Sequence, residues 1–313
     1  MSKKMKNIVK LLLCFIFVLS CKNNSDFSVK QIALTYVKSP LNVPSMIEKE
    51  KLIFSNAFSK HNLPVVYSEL TTGPEQTQAL ASGDIQFLYA VGATSVILAK
   101  ANGSDIKIIN TYSRSPQSFF IFSKNIIKDA NDVKGKKVAG PKGTILHELL
   151  VTYLNSLGLN ESDIQFISMG IPESYAALSS GSVDMALLAG PSAYNTAKEG
   201  YNIVTTGENL IEPVVVVATS GIFYNSNKEL VDTFINAEKE VLNYMNNNYD
   251  EIISISAKET GLKEEAVKEM YPMYDFNIDI TDKDIASMKK TEKFMRENKM
   301  IETEVNINDL LIN

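Results

Sequence analysis

Apolar and polar positions run through the same pattern twice along this chain. Pro74–Lys100 reads PEQTQALASGDIQFLYAVGATSVILAK, Pro172–Lys198 reads PESYAALSSGSVDMALLAGPSAYNTAK, and the two align without a gap. Pro74, Glu75, Ala79, Leu80, Ser82, Gly83, Gly92, Ala99 and Lys100 recur as Pro172, Glu173, Ala177, Leu178, Ser180, Gly181, Gly190, Ala197 and Lys198. Each copy starts with a proline that a first helical turn tolerates and a glutamate suited to the positive end of the helix dipole. Residues at helical spacing follow (Thr77, Leu80 and Ala81; Tyr175, Leu178 and Ser179), and a glycine then stops the helix. The next apolar runs, Ile85–Val91 and Val183–Ala189, fit buried parallel strands. Gly92-Ala93-Thr94 or Gly190-Pro191-Ser192 turns the chain into a second helix. Two copies are too few for a solenoid and suit two similar lobes. Ligands of open α/β sheets bind beyond the carboxyl ends of the strands, which is where both glycine turns belong.

The pattern elsewhere predicts strands at Val29–Tyr36, Pro64–Leu70, Ile106–Tyr112, Phe119–Ser123, Lys136–Gly140, Ile164–Met169 and Ile203–Thr206. Phe119–Ser123 is read as continuing the sheet of Ile106–Tyr112, and the β-branched run in Glu212–Ser220 as returning the chain to the first lobe. Helices are expected at Ser45–His61, with Ser45 and Glu48 as a capping box, and at Thr144–Leu157, closed by Gly158. Helices Lys228–Asn246, Tyr249–Thr260, Lys263–Met270 and Asp282–Asn298 complete the chain. The second half of lobe one therefore follows lobe two. The chain crosses twice, near 111–119 and 212–221, where extended segments would serve as the hinge.

The N-terminus changes the picture of where this α/β body works. Lys3, Lys4, Lys6 and Lys10 precede the apolar Leu11–Leu19, a signal-peptide pattern too short for a permanent membrane span. Val18-Leu19-Ser20-Cys21 resembles a bacterial lipobox, which makes Cys21 the expected lipidated residue. An ordinary secretory signal with a coincidental cysteine is the alternative. Residues 1–20 are read as signal, 21–26 as a tether, 27–116 plus 217–313 as lobe one and 117–216 as lobe two. Without the four signal lysines the chain carries 27 basic against 36 acidic residues, net −9, which disfavours a nucleic-acid partner. Cys14 leaves with the signal and Cys21 would carry lipid, so no disulfide is available and stability must come from core burial.

In order, the segments resemble the solute-binding lipoproteins of ABC importers, in the branch that includes aliphatic sulfonate, nitrate, taurine and thiamine-precursor binders. The resemblance is carried by Thr72–Glu75 with Ala79–Ile85, by Asp132–Val138 with Pro141–Thr144, by Ala177–Ala189, and by Lys293–Met295, Met300-Ile301 and Val305–Leu310. Met169–Pro172 and Leu188–Pro191 depart from it, lacking charged or aromatic residues that some members place there. The cysteine-rich patch of eukaryotic thiamine-precursor synthases is absent. The resemblance implies a type II periplasmic-binding-protein fold. It implies a monomer without cofactor or metal, held to the outer face of a bacterial cell membrane by lipid alone. Such a protein closes on a small sulfonate, nitrate or taurine-like anion and delivers it to a permease whose ATPase supplies the energy. A heterocyclic thiamine- or riboflavin-type precursor, or a sensing role toward a receptor, are the alternatives.

Candidate ligand contacts follow from position. Gly143-Thr144 opens a helix whose free N–H groups suit an anion, though a capped turn explains the pair as well. Gly92, Thr94, Gly190 and Ser192 sit in the repeated turns, where capping is the plainer reading. Arg114, one of only two arginines, offers a bidentate clamp for a sulfonate or stands as a solvated hinge residue. Tyr36 and Tyr112 end strands and are read as stacking or rim residues. Ser39 and Asn42 lie in the loop after the first strand. Glu75 and Glu173 would repel an anion, so their helices are expected to point elsewhere. His61 and His147, the only histidines, have no partners for zinc. The motifs H-E-x-x-H, G-x-S-x-G and G-x-x-x-x-G-K-[ST] are absent, and no enzymatic activity is expected.

Overall fold

The computed structural model describes residues 29–312. The signal segment, Cys21 and the tether lie outside the described residues. Ten strands form two sheets: β1 (Ile32–Thr35), β2 (Val65–Ser68), β3 (Leu88–Gly92), β4 (Lys107–Arg114), β5 (Phe119–Ser123), β6 (Lys137–Gly140), β7 (Gln165–Ser168), β8 (Met185–Ala189), β9 (Asn202–Thr206) and β10 (Val214–Thr219). The first sheet joins the parallel pair β1–β2 to the antiparallel set β3–β10–β4 through a parallel bridge between Leu34 and Phe87. The second has the order β7-β6-β8-β5-β9.

Placed side by side, the orders β2-β1-β3-β10-β4 and β7-β6-β8-β5-β9 are the same arrangement used twice. Within it, β3 and β8, the strands of the sequence repeat, take the same central place. In each sheet the fourth strand is antiparallel to its neighbours. That strand is the one the chain lays down immediately after crossing from the other sheet, at 114–119 and at 206–214. Phe119–Ser123 thus belongs to the second sheet and does not extend the strand before it. β3, expected to be wholly parallel, is parallel only at the Leu34–Phe87 bridge and pairs antiparallel with β10.

Helix starts and stops follow local chemistry. Thr72 caps helix Gly73–Ser82, with Glu75 closing the capping box, and Gly83 ends it at φ 84°. Its counterpart Ile171–Ser180 ends at Gly181 with φ 78°. The long helix expected over 45–61 is two helices, Val43–Glu50 and Ile53–Ser59, broken at Leu52 with φ 56°. Ser45 and Glu48 form no capping box, because both side chains face the core. The Ser45 hydroxyl bonds the Tyr112 hydroxyl at 2.9 Å, and Glu48 accepts from Tyr67 at 3.1 Å.

Helix Lys228–Asn247 packs against this pair and closes the first core. Phe234 stacks on Phe87 at 4.2 Å between ring centroids and lies against Phe54 and Tyr89. Within this apolar packing two carboxyls, Glu48 and Glu238, are fully buried. Asn110 donates to Glu238, while one oxygen of each carboxyl has no partner. Burial pushes each up to about 8 from an ordinary 4.5. The folded chain therefore holds two protons that the unfolded chain has released by neutral pH. Their contribution to stability is complete below about pH 4.5 and is lost as pH rises through about 8. Glu238→Gln keeps an acceptor for Asn110 and removes one of these titrations. It is expected to stabilise the chain by roughly 2–4 kcal/mol at pH 9 and little at pH 4. Chemical denaturation at both pH values measures the difference.

Candidate functional site

Where the two sheets face each other, elements from both line a partly open cavity of about 70 Å³. The first sheet's side supplies Val37, Ser39 and Pro40 after β1, Thr71, Gly73 and Gln76 after β2, Ala90 and Gly92 of β3, Ser95, and Val215 of β10. The second supplies Phe119 of β5, Pro141, Thr144, Ile145 and Leu146 after β6, and Ile171 after β7. No charged side chain is among these lining residues. The volume is well under the roughly 300–1,000 Å³ of drug-sized sites, so only a few non-hydrogen atoms fit. A more open depression of about 540 Å³ lies over Arg296, Glu297, Lys299, Ile301 and Glu302. It sits at the end of the last long helix, where Arg296 is already bonded to Glu292.

Four helices begin at the cavity wall: Gly73–Ser82, Ala93–Ala101, Ile145–Ser156 and Ile171–Ser180. Three of them, all except Gly73–Ser82, lack a side-chain cap. Thr144 stands at the N-cap of Ile145–Ser156, but its hydroxyl donates to the Pro141 carbonyl at 2.8 Å, leaving the first-turn N–H groups uncapped. Uncapped first turns combine free N–H donors with the positive end of the helix dipole, the ordinary chemistry of an anion site. The starts of Gly73–Ser82 and Ile171–Ser180 reach the cavity in spite of Glu75 and Glu173. Glu75 folds back to accept from the Thr72 N–H at 3.1 Å, which turns its charge onto its own helix cap.

The helices from the two sheets are in direct contact around this cavity. Ser95 donates to the Gly143 carbonyl at 2.8 Å. Gly143, at φ 72°, passes so close to helix Ala93–Ala101 that a Cβ would lie 2.7 Å from Leu98 Cδ2. Gly190, at φ 58°, meets the backbone of Pro40, where a Cβ would lie 3.0 Å from Cα. Glu148, on the second-sheet helix, accepts from Thr94 at 2.7 Å and from Thr291 of helix Asp282–Glu297 at 2.9 Å. Both threonines belong to elements packed on the first sheet. Burial raises the Glu148 carboxyl above its ordinary range, with the two threonines opposing.

The expected site residues divide into three groups. Ser39, Gly92 and Thr144 line the cavity. Thr94, Gly143 and Gly190 stand just outside it and hold the two sides together. Tyr36, Asn42, Tyr112, Arg114 and Ser192 lie outside the lining, the first four bonded to other partners. Tyr36 donates to Glu259 at 2.6 Å under the Lys49 ammonium, and Tyr112 is buried against Ser45 and Tyr89. Asn42 donates to the Val37 carbonyl at 2.8 Å, and the Ser192 carbonyl accepts from Thr196 at 2.7 Å.

Arg114 is a clamp on the chain, not on a ligand. Its Nε and one Nη bond both oxygens of Asp284 at 2.6 Å, and its remaining donors reach Asp275, Thr111 and the carbonyls of Asn277 and Asp279. His147 is structural as well. Its Nδ1 accepts from the Gly143 N–H at 3.3 Å, so the proton lies on Nε2 and is donated to Glu161 at 2.5 Å. Burial, the largest influence, pushes this imidazole below its ordinary value. Gln76, Thr71 and Ser95 were missed. Their one sequence signal is position, since each lies in or beside a first helical turn of the repeat.

Comparison with known proteins places this geometry. Residues 57–252 match the model of the family described as NMT1/THI5 like. The chain belongs to the NMT1/THI5-like family. Among relatives of this family member, a putative aliphatic sulfonates-binding protein of Bacillus subtilis is 26% identical over 276 residues, covering 86% of this chain and 82% of that protein. One of the same description from Escherichia coli is 26% identical over 271 residues, covering 82% and 81%. The alkanesulfonate-binding protein SsuA of Xanthomonas axonopodis pv. citri, solved with MOPS bound, superposes with a TM-score of 0.80 at 19% identity, over 90% of this chain and 98% of that one. This NMT1/THI5-like chain therefore has the two-sheet fold of periplasmic binding proteins.

Two measurements test the roles drawn here. Arg114→Ala leaves the buried Asp284 with only its Thr281 bonds and no cation, and is expected to cost about 3 kcal/mol in chemical denaturation, as breaking a buried ion pair does. Glu148→Ala unlinks Thr94 and Thr291 from the facing helix. It is expected to raise the radius of gyration in small-angle scattering, and an unchanged radius would show that this carboxyl does not hold the two sides together.

Proposed function

We propose that this chain is an extracytoplasmic substrate-binding protein of an ABC importer. It captures a small sulfonate between two lobes and hands it to a permease, whose ATPase supplies the energy. The observation that carries this reading is the set of uncapped helix starts around a small cavity with no charged wall. A monoanion that spreads its charge over three oxygens matches several backbone N–H donors and hydroxyls. A phosphate dianion would be buried with no cation to offset its desolvation. The names of the two relatives and of the superposed structure support the same ligand class.

The lobes in this reading are 27–116 with 217–313 and 117–216, a division supported by the strand membership of the two sheets. The crossings at 114–119 and 206–214 act as the hinge. Residues 1–20 are a signal peptide, and Cys21 carries the lipid that holds a monomer to the outer face of the cell membrane. The protein binds without turning over its ligand. A heterocyclic ligand has less support, because Tyr36 and Tyr112 are committed to Glu259 and Ser45, and Phe119 is the one aromatic residue among those lining the cavity.

Thermal unfolding of the full chain in detergent, scanned against sulfonates, nitrate, taurine, carboxylates and pyrimidines, tests the ligand class. The chain has no tryptophan, so calorimetry is the readout. A short sulfonate at a hundred times its dissociation constant is expected to stabilise the chain by about 2.7 kcal/mol. Stabilisation by pyrimidines alone would overturn the assignment.

A further inference from the structure

Gln76 is the one cavity residue whose hydrogen bonding is left half complete. Its Nε2 donates to the Leu70 carbonyl at 3.1 Å, which fixes which end of the amide is which. The other end, Oε1, is buried and has no partner, although the residue is only 3% exposed and forms part of the cavity wall. A buried acceptor left without a donor forfeits the hydrogen bond it would make in water. Of the remaining polar walls, the first-turn N–H groups can only donate, while the Ser39 and Thr71 hydroxyls can donate or accept. The site therefore pairs a donor-rich anion pocket with one side-chain oxygen, Gln76 Oε1, that can only accept.

That asymmetry selects among sulfonates, and the inference rests on the sulfonate reading above. A ligand that is only an anion on an alkyl tail leaves Oε1 unsatisfied. One that carries a hydroxyl donates a single O–H to it. One that carries an ammonium brings a full charge and three N–H donors to a wall with one amide oxygen and no carboxylate, and burying that charge unpaired is costly. The cavity of about 70 Å³ restricts the tail to a short one. We propose that Gln76 makes this site selective for a short hydroxyalkanesulfonate over its unsubstituted and amino counterparts.

Titration calorimetry of the full chain in detergent with ethanesulfonate, 2-hydroxyethanesulfonate and 2-aminoethanesulfonate tests this directly. The hydroxy compound is expected to bind about 5–10-fold more tightly than ethanesulfonate, the worth of one net hydrogen bond, and more tightly than the amino compound. Gln76→Leu keeps the bulk and removes the acceptor. In it the hydroxy compound should fall to the level of ethanesulfonate, whose own affinity reports any loss from the Leu70 contact. Equal or tighter binding of ethanesulfonate or the amino compound to the unmodified chain overturns the proposal even if the variant does not fold. So does a hydroxyl preference that survives in Gln76→Leu. Binding of the sulfonates without that preference leaves the sulfonate reading standing, whereas binding of none of the three removes both.

Discussion

Each sheet of this protein contains a strand that the chain lays down immediately on crossing from the other. β5 enters the second sheet and β10 the first, each antiparallel between neighbours, so neither sheet closes until the chain has crossed. This exchange ties the two halves together at one edge and leaves the carboxyl ends of β1, β3 and β6 facing each other across a gap. The helices that follow β2, β3, β6 and β7 start in that gap. A site at their convergence is thus a consequence of topology before any side chain is chosen. The Arg114 clamp lies at the end of β4, at the first crossing, where it fixes the segment 275–284 to the strand that enters the hinge.

The electrostatic arrangement follows from the same convergence. A net-acidic chain cannot attract an anion through its overall field, and no lysine or arginine lines the cavity. Partial charges fixed in the backbone do the work instead. Helix starts supply N–H donors already pointed at the gap, at no cost in side-chain ordering when a ligand arrives. Two of the acidic residues close to these helix starts are held by local bonds. Glu75 caps its own helix, and Glu148 is taken up by two threonines from the opposite side. Burial favours the neutral form of Glu148, and its bonds to Thr94 and Thr291 draw the two walls of the site together, so closure and electrostatics are joined in one residue.

Much of this was legible in the chain. The repeat announced the paired sheets because Gly83 and Gly181 must adopt left-handed backbone and the apolar runs must be buried, requirements that survive even when most other residues change. The crossings were legible from element order. The side-chain roles were less so, for a physical reason. Arg114, Tyr36 and Tyr112 have the right chemistry for a ligand and the right place at strand ends. Their partners, Asp284, Glu259 and Ser45, come from segments whose approach only tertiary packing determines. The strand pairing of β3 was misjudged because burial on both faces makes an apolar run look parallel whichever direction its neighbour takes. The helix break at Leu52 was hidden for the opposite reason. Its left-handed backbone precedes the buried Ile53 and Phe54, and nothing in the residue type marks it.

Gln76 shows how far local pattern can mislead about a site. On the repeat it is an ordinary first-turn residue, aligned with Ser174 of the second copy. Ser174 is also buried, but its hydroxyl donates to the Gly170 carbonyl of its own helix start and is thereby consumed. Gln76 is longer, reaches Leu70 with its nitrogen, and has a second polar end left over. The two halves of a duplicated scaffold therefore present different chemistry at equivalent places. The second copy spends its polar group on its own helix start, and the first contributes an acceptor to the cavity wall. An internal repeat fixes where a ligand lies, while the positions at which the copies diverge decide which ligand it is.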